Sequence, residues 1–192
     1  MRRLGLGLLC ASAFLSQASA SIIVYSDSMF GSSETPPNFA SSASGSATVT
    51  INTVANTLAF TEGWFGLASA ATGSFIGVGS LIAVPFSSFP ATTGGNFNNT
   101  SSPYNLTLSA TYSVAFLTAN GGTAASAESA LLADLAGGTG LTNIVDATFP
   151  NGEIAGQLTL QSITNPAPEP GTLVLGTAAL LLFGLIRRRR AT

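Results

Sequence analysis

Ala47-Thr48-Val49-Thr50-Ile51 alternates apolar and polar side chains, and Leu58-Ala59-Phe60 takes the alternation up again beyond Asn56-Thr57. A period of two places every second side chain on one face of a pleated strand, and a polar turn between two such runs predicts an antiparallel hairpin. Ile22 to Tyr25 supplies a neighbouring strand on the N-terminal side. Further along, Tyr104 to Leu108 and Tyr112 to Phe116 alternate in the same way. Ile154 to Leu160 does so as well, with Ile154, Leu158 and Leu160 expected on one face.

One segment breaks the pattern. Ala124 to Leu135 is rich in Ala and Leu, has Glu128 near its start and runs into Gly137-Gly138, which predicts a short helix with a glycine stop. Pro85 to Pro103 holds Pro90, Gly94-Gly95, Asn96, Asn98 and Asn99 and is expected to be a long exposed loop. The expected fold is therefore mainly β, an antiparallel β-sandwich or barrel with one short helix. It spans residues 21–163, a length ordinary for a single core.

The two ends read differently. Arg2 and Arg3, the apolar run Leu4 to Leu15 and then Ala18-Ser19-Ala20 form a secretory signal helix over residues 1–20, with cleavage expected after Ala20. Cys10 follows Leu9 inside the apolar run, which disfavours a lipoprotein reading. Residues 164–192 form a tail: a linker with Pro168-Glu169-Pro170, an apolar helix over 171–186, and Arg187, Arg188, Arg189 and Arg190. Sixteen helical residues reach roughly 24 Å against a hydrocarbon core of about 30 Å, marginal for a permanent span. The arginines would hold that end in the cytoplasm.

All six basic residues lie in those ends. Residues 21–170 contain no Lys, Arg, His or Cys, and carry Asp27, Glu34, Glu62, Glu128, Asp134, Asp146, Glu153 and Glu169. Without cations to neutralise phosphates, a nucleic-acid partner is excluded. Without His or Cys, no zinc or copper site is expected, so the expected metal and cofactor are none. Nucleophilic catalysis lacks its usual bases. Carboxylates remain, and a glycoside hydrolase would need two of them flanking a sugar cleft, Glu34 and Glu153 being the pair in question. The plainer reading makes each of them the acceptor that fixes a turn. Calcium would take oxygen ligands such as Asp27, Asp146 and Glu153, but no loop has the ligand spacing. Trp64, Phe65, Tyr104 and Tyr112 could stack on sugars, although aromatics at strand positions more often fill a core.

Two resemblances add to this. Pro168-Glu169-Pro170, the apolar helix and the arginine cluster resemble the PEP-CTERM sorting signal of Gram-negative bacteria, which implies export through the inner membrane, processing by signal peptidase and an exosortase, and delivery to the cell surface or exopolysaccharide matrix. Gly31-Ser32-Ser33-Glu34-Thr35-Pro36-Pro37, together with Asn143-Ile144-Val145-Asp146 and Pro150-Asn151-Gly152-Glu153-Ile154-Ala155-Gly156-Gln157, resembles the opening and closing motifs of the CHRD domain. That resemblance implies an immunoglobulin-like sandwich or barrel, with Glu34, Pro36, Pro37, Asn143, Gly152, Glu153 and Gly156 as motif positions. The chain departs from it at Ala70-Ala71-Thr72-Gly73-Ser74-Phe75-Ile76, where two histidines are usual, at Val145-Asp146 in place of His-Thr, and at Ala155 in place of Arg. The reading that follows is an exported, non-enzymatic surface or matrix protein with no catalytic residues. The alternatives are a polysaccharide-binding module and a carboxylate-dependent hydrolase.

Overall fold

Alternation extends further along the chain than the hairpin that first showed it. In the computed structural model, which describes residues 21–165, β1 (Ile22–Phe30), β2 (Ser44–Asn52) and β3 (Thr57–Phe65) form an antiparallel meander. Their inner positions are in direct register. Tyr25, Val49 and Phe60 form one row, and Ile23, Ile51 and Leu58 the next. Opposed side chains on one face of an antiparallel pair are nearest neighbours, so each row buries as a unit. Val49, Phe60, Ile51 and Leu58 are fully buried.

β4 (Ala71–Val78), β5 (Leu81–Pro85), β8 (Gly140–Asp146) and β9 (Ile154–Gln157) continue the same sheet. With β6 (Gly95–Asn98) at the far end, the strand order is β5-β4-β8-β9-β1-β2-β3-β6. β7 (Tyr104–Asn105) pairs with β3, and β10 (Thr159–Thr164) pairs with β1. The result is a single curled antiparallel sheet whose two halves face one another across the core, in place of two separate sheets of a sandwich.

The ends of the curl meet through aromatic rings. Phe86, just after β5, stacks on Phe60 of β3 with centroids 3.8 Å apart, and Phe97 of β6 lies 6.2 Å from Phe86. Phe89 bridges Trp64 at 4.5 Å and Phe97 at 5.4 Å. The expected exposed loop from Pro85 to Pro103 is thus corrected. Its phenylalanines face the core, and residues 95–98 pair with Thr61–Trp64 as a strand.

Three other expectations change. Tyr112 to Phe116 is not a strand: Ser113 caps α1 (Val114–Ala119), its hydroxyl accepting the Phe116 N–H at 3.1 Å. Tyr112 and Phe116 stand four residues apart, a spacing that suits a helix face as well as it suits strand alternation. Val114 points out, 79 % exposed, while Phe116 is buried. Tyr104 to Leu108 keeps only two strand residues before the chain turns. Ile154 to Leu160 splits at Leu158, where the chain leaves β8 for β1, so Leu158 is buried and Leu160 is exposed.

The helix expected at Ala124 to Leu135 is α2 (Ala124–Ala136), with Thr123 and Ser126 forming a reciprocal capping box. Ala127, Leu131 and Leu135, four residues apart, form its buried stripe. Gly138 beyond its end has φ +69°, the left-handed conformation that stops helices. With α1 there are two helices among the described residues, and none is long and apolar enough to cross a membrane. The signal cleavage site at Ala18 and Ala20, the motif Pro168-Glu169-Pro170, the apolar segment 171–186 and Arg187 to Arg190 lie outside the described residues.

Replacing Phe60 removes the ring on which both ends of the curl pack. Phe60→Ala is expected to cost about 3–5 kcal/mol in urea unfolding. Phe65→Ala, on the 78 % exposed neighbour of the same strand, should stay within about 0.5 kcal/mol.

Candidate functional site

The opening and closing motifs, more than a hundred residues apart, meet at one end of the curled sheet. Glu34 follows a single 3-10 turn (Gly31–Ser33) after β1. Its carboxyl accepts the Asn143 Nδ2–H of β8 at 3.0 Å, and both residues are buried. Gly152 sits directly beneath that carboxyl. Its φ is +140°, and a Cβ there would come within 2.4–2.6 Å of the Glu34 carboxyl atoms, so no other residue fits. Pro36 and Pro37 face Thr148 to Asn151 across a small groove of about 350 Å3.

Glu153 works from the interior. It is fully buried, and it accepts the Ser41 hydroxyl at 2.8 Å and the Ala68 N–H at 2.9 and 3.1 Å. Asp146 accepts the Ser69 N–H at 2.8 Å, the Ser69 hydroxyl at 2.7 Å and the Phe149 N–H at 2.5 Å. These two carboxylates therefore fasten the loop between β3 and β4, and the segment before β2, to the β8–β9 connection. Burial and then the neighbouring Asp146 push the Glu153 carboxyl up, against the bonds from Ser41 and Ala68. Burial acts upward on Asp146 too, but donors from Ser69, Phe149 and Glu153 outweigh it and hold this carboxyl below its ordinary value.

A second polar set lies deeper. Asp27, Ala47 and Glu62 form one row across β1, β2 and β3 on the inner face. Across the core, Ser74 of β4 donates to Glu62 Oε1 at 3.1 Å, and Thr142 of β8 donates to Asp27. Ala47 N–H donates to Asp27 at 2.8 Å. Gly156 leaves room for this arrangement, since a Cβ there would meet Asp27 Cγ at 2.7 Å and the Ser28 carbonyl at 2.8 Å. Glu62 is 1 % exposed and its Oε2 has no partner. Burial, opposed by the Ser74 bond and reinforced by the Asp27 charge, pushes its carboxyl up to about 8. Burial likewise pushes Glu34 up to about 7, against bonds from Asn143 and Thr35.

The expected hydrolase pair does not form a cleft. Glu34 lines two surface grooves, whereas Glu153 faces inward and lines none of the four described. The turn-fixing reading needs amendment as well, because Glu153 holds a distant loop and Glu34 holds a distant side chain. Asp27, placed beside Asp146 and Glu153 as a calcium candidate, stands instead against Thr142, four residues along β8 from Asp146. Among the described residues, no three Asp, Glu, His or Cys side chains gather as a metal group. Trp64 is core, its indole N–H donating to the Thr92 carbonyl at 3.2 Å, and the Tyr112 hydroxyl donates to the Leu106 carbonyl at 2.9 Å. The Tyr104 hydroxyl accepts the Ser87 N–H at 3.1 Å. Of these aromatics only Phe65 stands in solvent.

Glu62 and the inner place of Asp27 escaped the sequence reading. Extending the alternation Leu58, Phe60 to Glu62 and Trp64, and Tyr25 to Asp27 and Met29, was the signal that would have found them.

These features define an all-β domain in which a carboxylate-built clasp joins the β1–β2, β3–β4 and β8–β9 connections. The model of the CHRD domain matches residues 25–158, and the chain belongs to that family. The match takes in Glu34, Asn143, Gly152, Glu153 and Gly156. No curated protein and no solved structure matches the chain.

The raised carboxyls set the pH dependence. Glu62 and Glu34 keep their protons in the folded state at pH values where the unfolded chain, near 4.5, has released them. The stability they contribute is complete below that value and is lost as pH rises through about 7 to 8. The lowered Asp146 acts in the opposite sense, but only as pH falls below its ordinary 3.8. The melting temperature is therefore expected to peak near pH 5 and to fall by roughly 5 °C towards pH 9. Glu62→Gln should flatten that decline, and a melting temperature that rises from pH 5 to 9 would contradict this account.

Proposed function

We propose that this is an exported, non-enzymatic protein of the cell surface or extracellular matrix, whose β domain serves as a structural or adhesive module. The observation that carries this reading is that Glu34 stands alone: among the described residues it is the only acid or base on the walls of the four grooves described above. General acid–base or nucleophilic hydrolysis uses at least two such groups positioned around one bond. The other buried carboxylates accept hydrogen bonds that hold strands and loops. A domain without Lys, Arg, His or Cys also suits an extracellular scaffold that holds by burial.

The tail supports the route. Pro168-Glu169-Pro170, the apolar stretch and Arg187 to Arg190 resemble an exosortase substrate, with the inner membrane as a transient station and signal peptidase acting after Ala20. Partners at the destination would then be matrix components such as exopolysaccharide.

Mass spectrometry of the form released from the producing cell is expected to give a first residue at Ser21 and no peptide beyond the Pro168-Glu169-Pro170 region. A released form that still contains Arg187 would overturn the sorting part. Prolonged incubation with soluble polysaccharides should liberate no reducing ends above a blank. Release that disappears in Glu34→Gln would overturn the non-enzymatic part.

A further inference from the structure

The outer face of the sheet opposite the core carries a groove of about 710 Å3 over β4 and β8. Its floor follows from the register. Pro85, Phe75, Asn143 and Ala155 form one row across β5, β4, β8 and β9, and Ile82, Gly77 and Leu141 form the next. A Cβ at Gly77 would meet Leu141 Cδ1 at 3.1 Å and Phe75 Cε2 at 3.4 Å, so both side chains lean over this glycine and lie along the sheet. Gly73 leaves the next position on β4 empty. Ser33, Glu34 and Thr35 rise on one side, held there by the bond that Asn143 donates to Glu34, with Asn151 beside them.

We infer that this groove binds a neutral, hydroxyl-rich polysaccharide, with Phe75 as the flat apolar floor and the Ser33–Thr35 and Asn151 wall as the source of hydrogen bonds. The volume lies within the range of ligand sites. From β5 to β9 the floor spans roughly 14 Å, enough for a short run of sugar rings. β4 is paired on both sides, so its backbone is already hydrogen-bonded and an extended peptide cannot be added as a strand there. Side chains alone do the holding, which suits a ligand that offers ring faces and hydroxyls. Charge selects further. No cation exists in residues 21–165 to meet a uronate, sulfate or phosphate, and Glu34, the one ionisable group on the wall, supplies no positive charge.

The identification of a polysaccharide rests on the adhesive reading above, but its test does not depend on export. The full chain, purified in detergent, is run by native electrophoresis in gels containing dextran, hydroxyethylcellulose, galactomannan or alginate. At least one neutral polymer should retard it, and alginate should not. Gly73→Leu is the main variant, because a Cβ at Gly73 meets only Val145 Cγ2 at an ordinary 3.7 Å, so a side chain can enter the groove there without a backbone clash, and its melting temperature reports whether the fold is kept. It should abolish retardation at an unchanged melting temperature. Phe75→Ala should weaken retardation about five-fold, the scale of one lost stacking contact, while Phe65→Ala, outside the groove, should not. Retardation by no neutral polymer, retardation by alginate alone, or a folded Gly73→Leu that binds as the parent does would each overturn the inference. None of these results would touch the sorting reading, which the released-form masses decide separately.

Discussion

Carboxylates buried without a single cation to neutralise them govern this domain. Glu34, Glu62, Asp146 and Glu153 are all buried, and residues 21–170 hold no Lys, Arg or His. An uncompensated charge in a protein interior is strongly unfavourable, so each carboxyl must either gather neutral donors or keep its proton. Asp146 takes the first course with three bonds from Ser69 and Phe149. Glu62, with one bond from Ser74 and a partnerless oxygen, takes the second.

That constraint reaches into the backbone. Gly152 is required where Glu34 presses on the chain, and Gly156 where Asp27 does. Asn143, Ser41, Ser69, Ser74 and Thr142 occupy buried or loop-holding positions as the donors that remain when cations are absent. The same bonds decide architecture. Ser74 to Glu62 and Thr142 to Asp27 tie the two halves of the curled sheet across the core, while Ala68 to Glu153 and Ser69 to Asp146 tie its loops at one end. Where these bonds are absent, at the edges formed by β5 and β6, stacked phenylalanines take over.

The groove on the outer face depends on this clasp, although no clasp residue other than Glu34 and Asn143 faces it. Its wall is the 33–35 segment, which the Asn143 bond and the Gly152 seat help to hold beside the backbone bonds to the Gly31 carbonyl. Motif residues that look functional because they are chemically distinctive thus act chiefly as supports. The groove proposed for recognition is lined by plain residues, Phe75, Gly73 and Gly77 among them.

Alternation by itself determined the mainly β class and the β2–β3 hairpin with β1 beside it, and Ala and Leu content with a glycine stop determined the helix from Ala124 to Leu135, because each of these is set within a dozen or so residues. Composition by itself gives the expectation that nucleic acid is not a partner, for it turns on which residue types exist at all. The five residues from Tyr112 to Phe116 were misread because i, i+4 satisfies both periods, and only the Ser113 cap and its packing resolve them. Pro85 to Pro103 was misread because turn residues mask Phe86, Phe89 and Phe97, whose burial depends on the sheet curling back to meet them. The partners of Glu34, Glu62 and Glu153 lie 109, 12 and 85 or 112 residues away along the chain. Only the tertiary structure decided them, since hydrogen bonds and burial are set by distance in space, and no local pattern records which carboxyl will lose its water.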